Sequence, residues 1–243
     1  MIGTGNEQGN QISIVVATYN EADNLPALVE QVFAALAESH LEGQMVIVDD
    51  NSPDGTGEAA EELAKRYPIR VAHRPGKMGL ASAIMEGLAL AEGQLVGVMD
   101  ADLSHPPPLL PALVEAIVQR QADLAVASRY VPGGGVQDWS KGRVLISSLA
   151  NLLARPLTSI RDATSGFFLA RRQVLEGVRL NPLGFKLGLE VFVKGRYTTW
   201  EEVPYVFCGR RQGKSKFTWR EAVVYLWQLV ALAAYRLRRR PAG

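Results

Sequence analysis

Asp100 and Asp102 stand one residue apart, directly after the apolar run Leu95-Val96-Gly97-Val98-Met99. A buried strand that ends in paired acids delivers both carboxylates to the rim of a sheet. There they can hold a hard divalent cation, and the cation can hold a diphosphate. Asp-x-Asp alone is a weak signal, because such tripeptides arise by chance and often only cap a helix. A second acidic strand end strengthens it: Val46-Ile47-Val48 runs into Asp49-Asp50 and then Asn51-Ser52-Pro53-Asp54-Gly55-Thr56-Gly57. Two such ends in one short chain suggest a site for a nucleotide diphosphate.

The elements that must carry these acids alternate. Residues 12–17 read as a buried strand, and residues 24–38 as a helix with Leu25, Leu28, Val29, Val32, Phe33 and Leu36 at helical spacing. Asp23 or Asn24 can cap that helix, and Pro26 is tolerated in its first turn. Strands follow at 45–48, 69–72, 95–99 and 124–128, separated by helices at 57–67, 79–91 and from the Pro106-Pro107-Pro108 run to about 121. This order predicts an α/β domain with a mostly parallel sheet covered on both faces. Thr18, Asp49, Asp50, Asp100 and Asp102 all fall beyond the C-terminal strand ends, where such sheets bind ligands. No Gly-x-Gly-x-x-Gly or Gly-Lys-Ser/Thr loop follows the first strand, which argues against hydride transfer and P-loop chemistry.

The second half is less regular. Residues 131–142 are Gly-rich and carry Trp139; the stretch is long enough for a mobile lid, and as well suited to a plain connector. Residues 143–155 look helical, with Arg143, Ser147 and Asn151 at successive i, i+4 positions. Taken alone such a stripe describes a solvated face; directly after the Gly-rich segment it also fits the wall of a site. Residues 165–170 and 202–207 read as strands, with a helix around 184–195 between them.

The chain has 243 residues, 47% of them hydrophobic, with 26 Lys plus Arg against 25 Asp plus Glu. That is enough for a sizeable core and offers no global field for nucleic acid. Its single cysteine, Cys208, excludes an internal disulfide and suits a reducing compartment. Residues 1–11 are polar without an apolar stretch, which predicts a disordered tail and no secretory signal.

Together these strings resemble the dolichyl- or polyprenyl-phosphate mannosyltransferases, within the family 2 inverting glycosyltransferases of GT-A fold. The resemblance runs from about residue 12 to 217. It is carried by Ala17-Thr18-Tyr19-Asn20-Glu21 (the family usually has Pro before the Thr), the 48–57 run, His73-Arg74-Pro75-Gly76-Lys77-Met78-Gly79-Leu80 and Asp100 through Pro106. Further on come Ser128-Arg129-Tyr130, the Gly133…Trp139…Arg143…Ser147…Asn151 series, Asp162…Ser165-Gly166-Phe167, and Arg210…Gly213…Ser215-Lys216. It implies a GT-A, Rossmann-like domain over 12–216 and a C-terminal amphipathic helix at a membrane interface within 217–243. Ala17, Tyr19, Glu21 and Asp50 would line the nucleoside pocket, and Lys77 belongs with the donor-binding residues. Asp100 and Asp102 would hold Mg2+ or Mn2+; relatives add a ligand at the place of Ser104, where some have Gln. Arg129, Arg143 and Ser147 would grip the lipid acceptor's phosphate, and Arg210 and Lys216 would close over the donor diphosphate. GDP-mannose is the implied donor and a polyprenyl or dolichyl phosphate the acceptor. UDP-glucose as donor, a silent nucleotide-sugar-binding membrane subunit, and a phosphohydrolase using Asp100 are the alternatives.

The chemistry suits the residues. A phosphate monoester already carries negative charge near neutral pH, its second pKa being about 6, so it needs no strong general base. It needs guanidinium groups to bring one anion beside another. From the residues alone, however, Arg129 fits slightly better as a structural partner of an acid at the sheet edge. His73 and His105 fit core or surface positions, and Asp162 a supporting role that orients a basic residue. The apolar run 222–235, with Trp219, Trp227 and the arginines at 236–240, would span only about 21 Å as a helix, against a hydrocarbon core of about 30 Å. It suits a helix lying in an anionic leaflet, on the cytoplasmic face, or else a buried C-terminal or oligomer-interface helix.

Overall fold

A computed structural model of the chain describes residues 12–181, 186–207 and 219–239. The expected tail at 1–11, and Cys208, Arg210 and Lys216, lie outside the described residues. Seven strands form the main sheet: β1 (Ile12–Thr18), β2 (Gly43–Asp49), β3 (Ile69–His73), β4 (Leu95–Val98), β5 (Leu124–Ser128), β7 (Phe168–Arg171) and β8 (Trp200–Pro204). Their spatial order is β3-β2-β1-β4-β7-β5-β8. Only β7 runs against the rest, antiparallel to both β4 and β5. A second, two-stranded sheet pairs β6 (Gly135–Val136) with β9 (Val206–Phe207).

The helices are α1 (Leu25–Glu38), α2 (Thr56–Ala64), α3 (Leu80–Leu90), α4 (Leu110–Val118), α5 (Lys141–Ala154), α6 (Leu187–Lys194) and α7 (Trp219–Arg239). Strand alternation divides the core between the two faces. Ile12, Ile14 and Val16 pack with Leu28, Val32, Leu113 and Ile117 on one side. Val15, Val46 and Val96 pack with Ile84, Phe168 and Phe192 on the other. A third cluster ties α5, α6 and α7 through Ala154, Leu157, Leu189, Tyr225, Leu229 and Leu232.

Several local expectations shift. Asn24 is the N-cap of α1 without a capping bond; its side chain donates instead to Glu21 Oε2 at 2.8 Å. The strand expected from 165 begins at Phe168, because the Ser165 hydroxyl is drawn into turn bonding with Ala127 O at 2.8 Å. The strand expected at 202–207 breaks at Tyr205, where the chain leaves β5 and joins the Gly-rich segment as β9. That segment is therefore no free loop: Gly135 N donates to Tyr205 O at 3.0 Å and Gln137 N to Phe207 O at 2.9 Å. Gly134 makes the approach possible, since a Cβ there would stand 2.5 Å from Ser128 O. The C-terminal helix has 21 residues rather than the 14 of its apolar run. No helix among the described residues is long and apolar enough to cross a membrane.

Candidate active site

The strand order reverses between β1 and β4, so a crevice opens beyond their C-terminal ends. Register places Thr18 opposite Asp49 and Val15 opposite Val98, which brings Asp100 level with the end of β1. The acids at the end of β2 hold the floor of this crevice. Asp49 accepts from Thr18 Oγ1 at 3.0 Å and from Ser52 Oγ and N at 2.6 and 2.9 Å. Asp54 accepts from Thr56 Oγ1 at 2.6 Å and from Ala22 N at 3.1 Å, and these bonds hold its carboxyl below the usual range although burial pushes upward. Together they lash the 19–24 loop, with half-buried Tyr19 and Glu21, to the 50–56 loop. Ala17 sits half-buried just before it.

Asp50 is buried and fully engaged. Its Oδ1 accepts from Arg74 Nη1 at 2.5 Å, and its Oδ2 from Met78 N and Gly79 N at 3.2 and 3.1 Å. Gly79, at φ +103°, lets the chain turn back to make that bond. The result holds Lys77 with its Nζ 3.8 Å from the Tyr19 ring centroid. Asp50 therefore shapes the nucleoside side through the 74–79 loop. The sequence offers Arg74 only as part of the 73–80 string, because its pairing with Asp50 spans 24 residues and leaves no local signal.

Asp100 and Asp102 differ in exposure. The Asp100 side chain is 36% exposed, while Asp102 is 5% exposed and its Oδ1 accepts from Ser104 N and Oγ at 3.1 and 2.6 Å. A Ser104 hydroxyl that donates to Asp102 still turns lone pairs outward. The set is thus one open carboxylate, one turn-locked carboxylate and one hydroxyl, all hard oxygens, which fits a hard dication completed by phosphate and water. No group of three or more His, Cys, Asp or Glu of metal-holding geometry occurs among the described residues. His73 is exposed and pairs with Glu61. His105 is buried beneath Asp100: its Nδ1 accepts from Asp100 N at 2.9 Å, which places the imidazole proton on Nε2. Burial lowers its basicity, against the pull of Asp100 and Asp102.

From His105 an aromatic floor runs toward β6. His105 stacks on Phe167 at 5.2 Å, Tyr205 and Phe207 stand edge-on to it, and Trp139 meets Phe207 at 5.3 Å. Two guanidinium groups converge on the far end. Arg143 Cζ is 3.9 Å and Arg129 Cζ 5.5 Å from the Trp139 ring centroid. Ser147 is one turn further along α5, half-buried like Arg143, and Asn151 beyond it accepts from Thr164 N at 3.1 Å. The polar stripe of α5 thus faces inward.

Arg129 is held as a structural partner would be. Its Nε and Nη2 donate to the two Asp162 oxygens, each at 2.7 Å, and Nη2 also reaches Thr164 Oγ1. Burial opposes both charges, yet the paired bonds raise the guanidinium's pKa and lower that of Asp162. Glu202 accepts from Asp162 N and Arg161 N and fixes the turn. Nη1 makes no hydrogen bond among the described residues and is the edge of Arg129 still able to meet an anion. Lys186, missed in the sequence, donates to Thr164 O at 3.0 Å; burial, and then the charge of Arg129, lowers it to about 8.

This fold and these acids define a GT-A glycosyltransferase. The profile of glycosyl transferase family 2 matches residues 13–179. Solved structures agree on the fold: glucosyl-3-phosphoglycerate synthase from Mycobacterium tuberculosis, in complex with Mn2+, UDP and phosphoglyceric acid, superposes with a TM-score of 0.67 at 21% identity, covering 97% of this chain and 81% of that one. A mannosyltransferase from Pyrobaculum calidifontis, in complex with GDP-Man and Mn2+, gives 0.64 at 17% identity, with 98% and 67% covered. Among sequence relatives, a dolichol-phosphate mannosyltransferase of Pyrococcus furiosus is 42% identical over 91% of this chain and 63% of its own length. One from Saccharomyces cerevisiae is 36% identical over 93% of this chain and 88% of its own. The chain belongs to glycosyl transferase family 2, and within it to the dolichol-phosphate mannosyltransferases.

Proposed function

We propose that the chain moves mannose from GDP-mannose to a dolichyl or polyprenyl monophosphate, with Mg2+ or Mn2+ on Asp100, Asp102 and Ser104. The observation that supports this best is the shared aromatic floor, with hard oxygen ligands at one end and two guanidinium groups at the other. A bound dication would neutralise charge developing on the departing diphosphate. The chain's own residues do the rest. Tyr19, Lys77 and the loop held by Asp50 and Arg74 seat the nucleoside side. Arg143, Ser147 and the open edge of Arg129 hold the acceptor phosphate, whose anionic oxygen attacks in line with inversion. No residue need remove a proton, so positioning and electrostatics supply the catalysis. Arg210 and Lys216 remain candidates for closing over the donor.

The same reading places the protein peripherally on a membrane. Val144, Leu145, Ile146, Leu149, Leu152 and Leu153 of α5 are exposed, as are Val223, Leu226, Trp227 and Val230 of α7. The two helices are neighbours, Tyr225 donating to Ala150 O at 2.9 Å. Their outer faces suit an acyl boundary, and Arg236 and Arg238 suit anionic headgroups.

Purified protein with Mg2+, GDP-mannose and a polyprenyl phosphate should yield the mannosyl phospholipid. Asp102→Ala should lower the rate by roughly a thousand-fold with the circular dichroism spectrum unchanged. Consumption of UDP-glucose but not GDP-mannose would overturn the donor, and GDP binding without turnover the enzymatic reading.

A further inference from the structure

The apolar run 222–235 of α7 carries one amide, Gln228, and that amide lies on the buried side of the helix. It shares an inward stripe with Tyr225, Leu229 and Leu232 and is 1% exposed. Its Nε2 donates to Lys186 O at 3.0 Å, while its Oε1 finds no donor among the described residues. An apolar side chain of the same length would pack there without leaving a buried acceptor unmet. The helix thus keeps a costly group at this position, and the bond that the group makes leads toward the acceptor seat.

Lys186 is the N-cap residue of α6, and its own side chain continues the line. Its Nζ donates to Thr164 O at 3.0 Å. Thr164 is pinned at two further atoms: its N donates to Asn151 Oδ1 at 3.1 Å, and its Oγ1 accepts from Arg129 Nη2 at 2.9 Å. Groups from α5, from the start of α6 and from α7 therefore reach Arg129 through a single buried threonine. The approach is close, since a Cβ on Gly188, in the first turn of α6, would stand 2.4 Å from Ser165 O. Arg129 Nη2 is shared between Thr164 Oγ1 and Asp162 Oδ1, so slack at Thr164 would change where the fork points. A guanidinium meets a phosphate in a set geometry only when its partners are themselves locked.

We propose that Gln228 is a positioning residue for the acceptor: through Lys186 and Thr164 it fixes the fork of Arg129 for a phosphate monoester, which makes α7 a part of the acceptor seat. This rests on the reading of the chain as a polyprenyl-phosphate glycosyltransferase. It extends that reading, because the helix whose outer face suits a membrane also sets acceptor affinity from its inner face.

The test uses farnesyl monophosphate as a soluble probe, titrated calorimetrically into the whole chain, with GDP titrated in parallel and acceptor and donor KM measured under turnover. Gln228→Met, of equal length, should weaken the probe about fivefold and raise acceptor KM alike, the worth of one buried hydrogen bond, with GDP affinity and donor KM unchanged. Lys186→Met, which removes a charged donor, should weaken the probe about 20-fold. The double variant should bind it no more weakly than Lys186→Met alone, because both act along one line. Leu232→Ala, which loosens α7 without touching that line, should lower the melting temperature and leave probe affinity within about twofold of wild type. Gln228→Met binding the probe like wild type overturns the proposal. So do additive losses in the double variant, a parallel loss of GDP affinity, or a loss of probe affinity in Leu232→Ala as large as in Gln228→Met. If wild type moves no mannose while this binding pattern holds, the donor assignment fails and the positioning role stands. If wild type does not bind the probe, both fail.

Discussion

Helices α1 and α5 have 14 residues each and similar amphipathic spacing, and they are built inside out relative to one another. Helix α1 buries Leu25, Leu28, Val29, Val32 and Leu36 against the sheet. Helix α5 buries only Asn151 and Ala154 and turns Leu145, Ile146, Leu149, Leu152 and Leu153 outward. The difference follows from what each faces. Behind α1 lies sheet, where apolar surface leaves water. Behind the start of α5 lies a seat with Arg129, Asp162 and Thr164, which an apolar stripe would leave without partners. A helix that presents polar groups inward turns its leucines outward, and under the proposed function the membrane carrying the acceptor would cover them.

The comparison can be broken most forcefully at the polar interior. Asp162→Ala leaves Arg129 buried without its fork, and should lower unfolding free energy by about 3–5 kcal/mol in urea titrations. A cost below 1 kcal/mol would mean the pair is no keystone of this half. The helices themselves come next. Leu28, 0% exposed, should cost about 2–5 kcal/mol when cut to Ala, whereas Leu149, 52% exposed, should cost within about 0.5 kcal/mol. Comparable losses at the two sites would refute the inversion. Leu149→Glu combined with Leu152→Glu should leave the melting temperature in place and weaken co-sedimentation with anionic vesicles roughly tenfold. Unchanged vesicle binding would return α5 to an ordinary solvent face.

The smallest effect is in pH. Lys186 titrates at about 8 when folded and near 10.5 when unfolded, so between these values the unfolded chain binds more protons. Wild-type stability should therefore rise from about pH 8 to about pH 10.5 relative to Lys186→Met, with no difference in slope below pH 8. Parallel stability curves through that window would show that the lysine is not desolvated in the folded protein.

Much of the donor side was legible because its signals are local. Apolar runs ending in Asp49-Asp50 and Asp100-x-Asp102 announce both strand and site, and Ser104 lies within the same turn. The stripe Arg143, Ser147, Asn151 was visible too, but not its direction: helical spacing gives two faces and cannot say which one is inside. Arg129 shows the same limit. Its residue type and place favoured a structural partner slightly and only the resemblance implied a phosphate ligand, and the bond that orients it comes from 33 residues away. The segment holding Trp139 read as a lid or a plain connector because its own strand, β6, has only two residues, too short to carry a pattern.

Residue type and spacing alone determined the alternating elements, the parallel order that follows from them, and the oxygens at the sheet rim, since each depends on neighbours a few positions apart. Folding decided the insertion of β7 against its neighbours, the engagement of Asp50 by Arg74, the seating of His105 under Asp100 and the outward turn of α5. Those depend on which distant groups share a low-dielectric space, where an unpaired charge is too costly to persist.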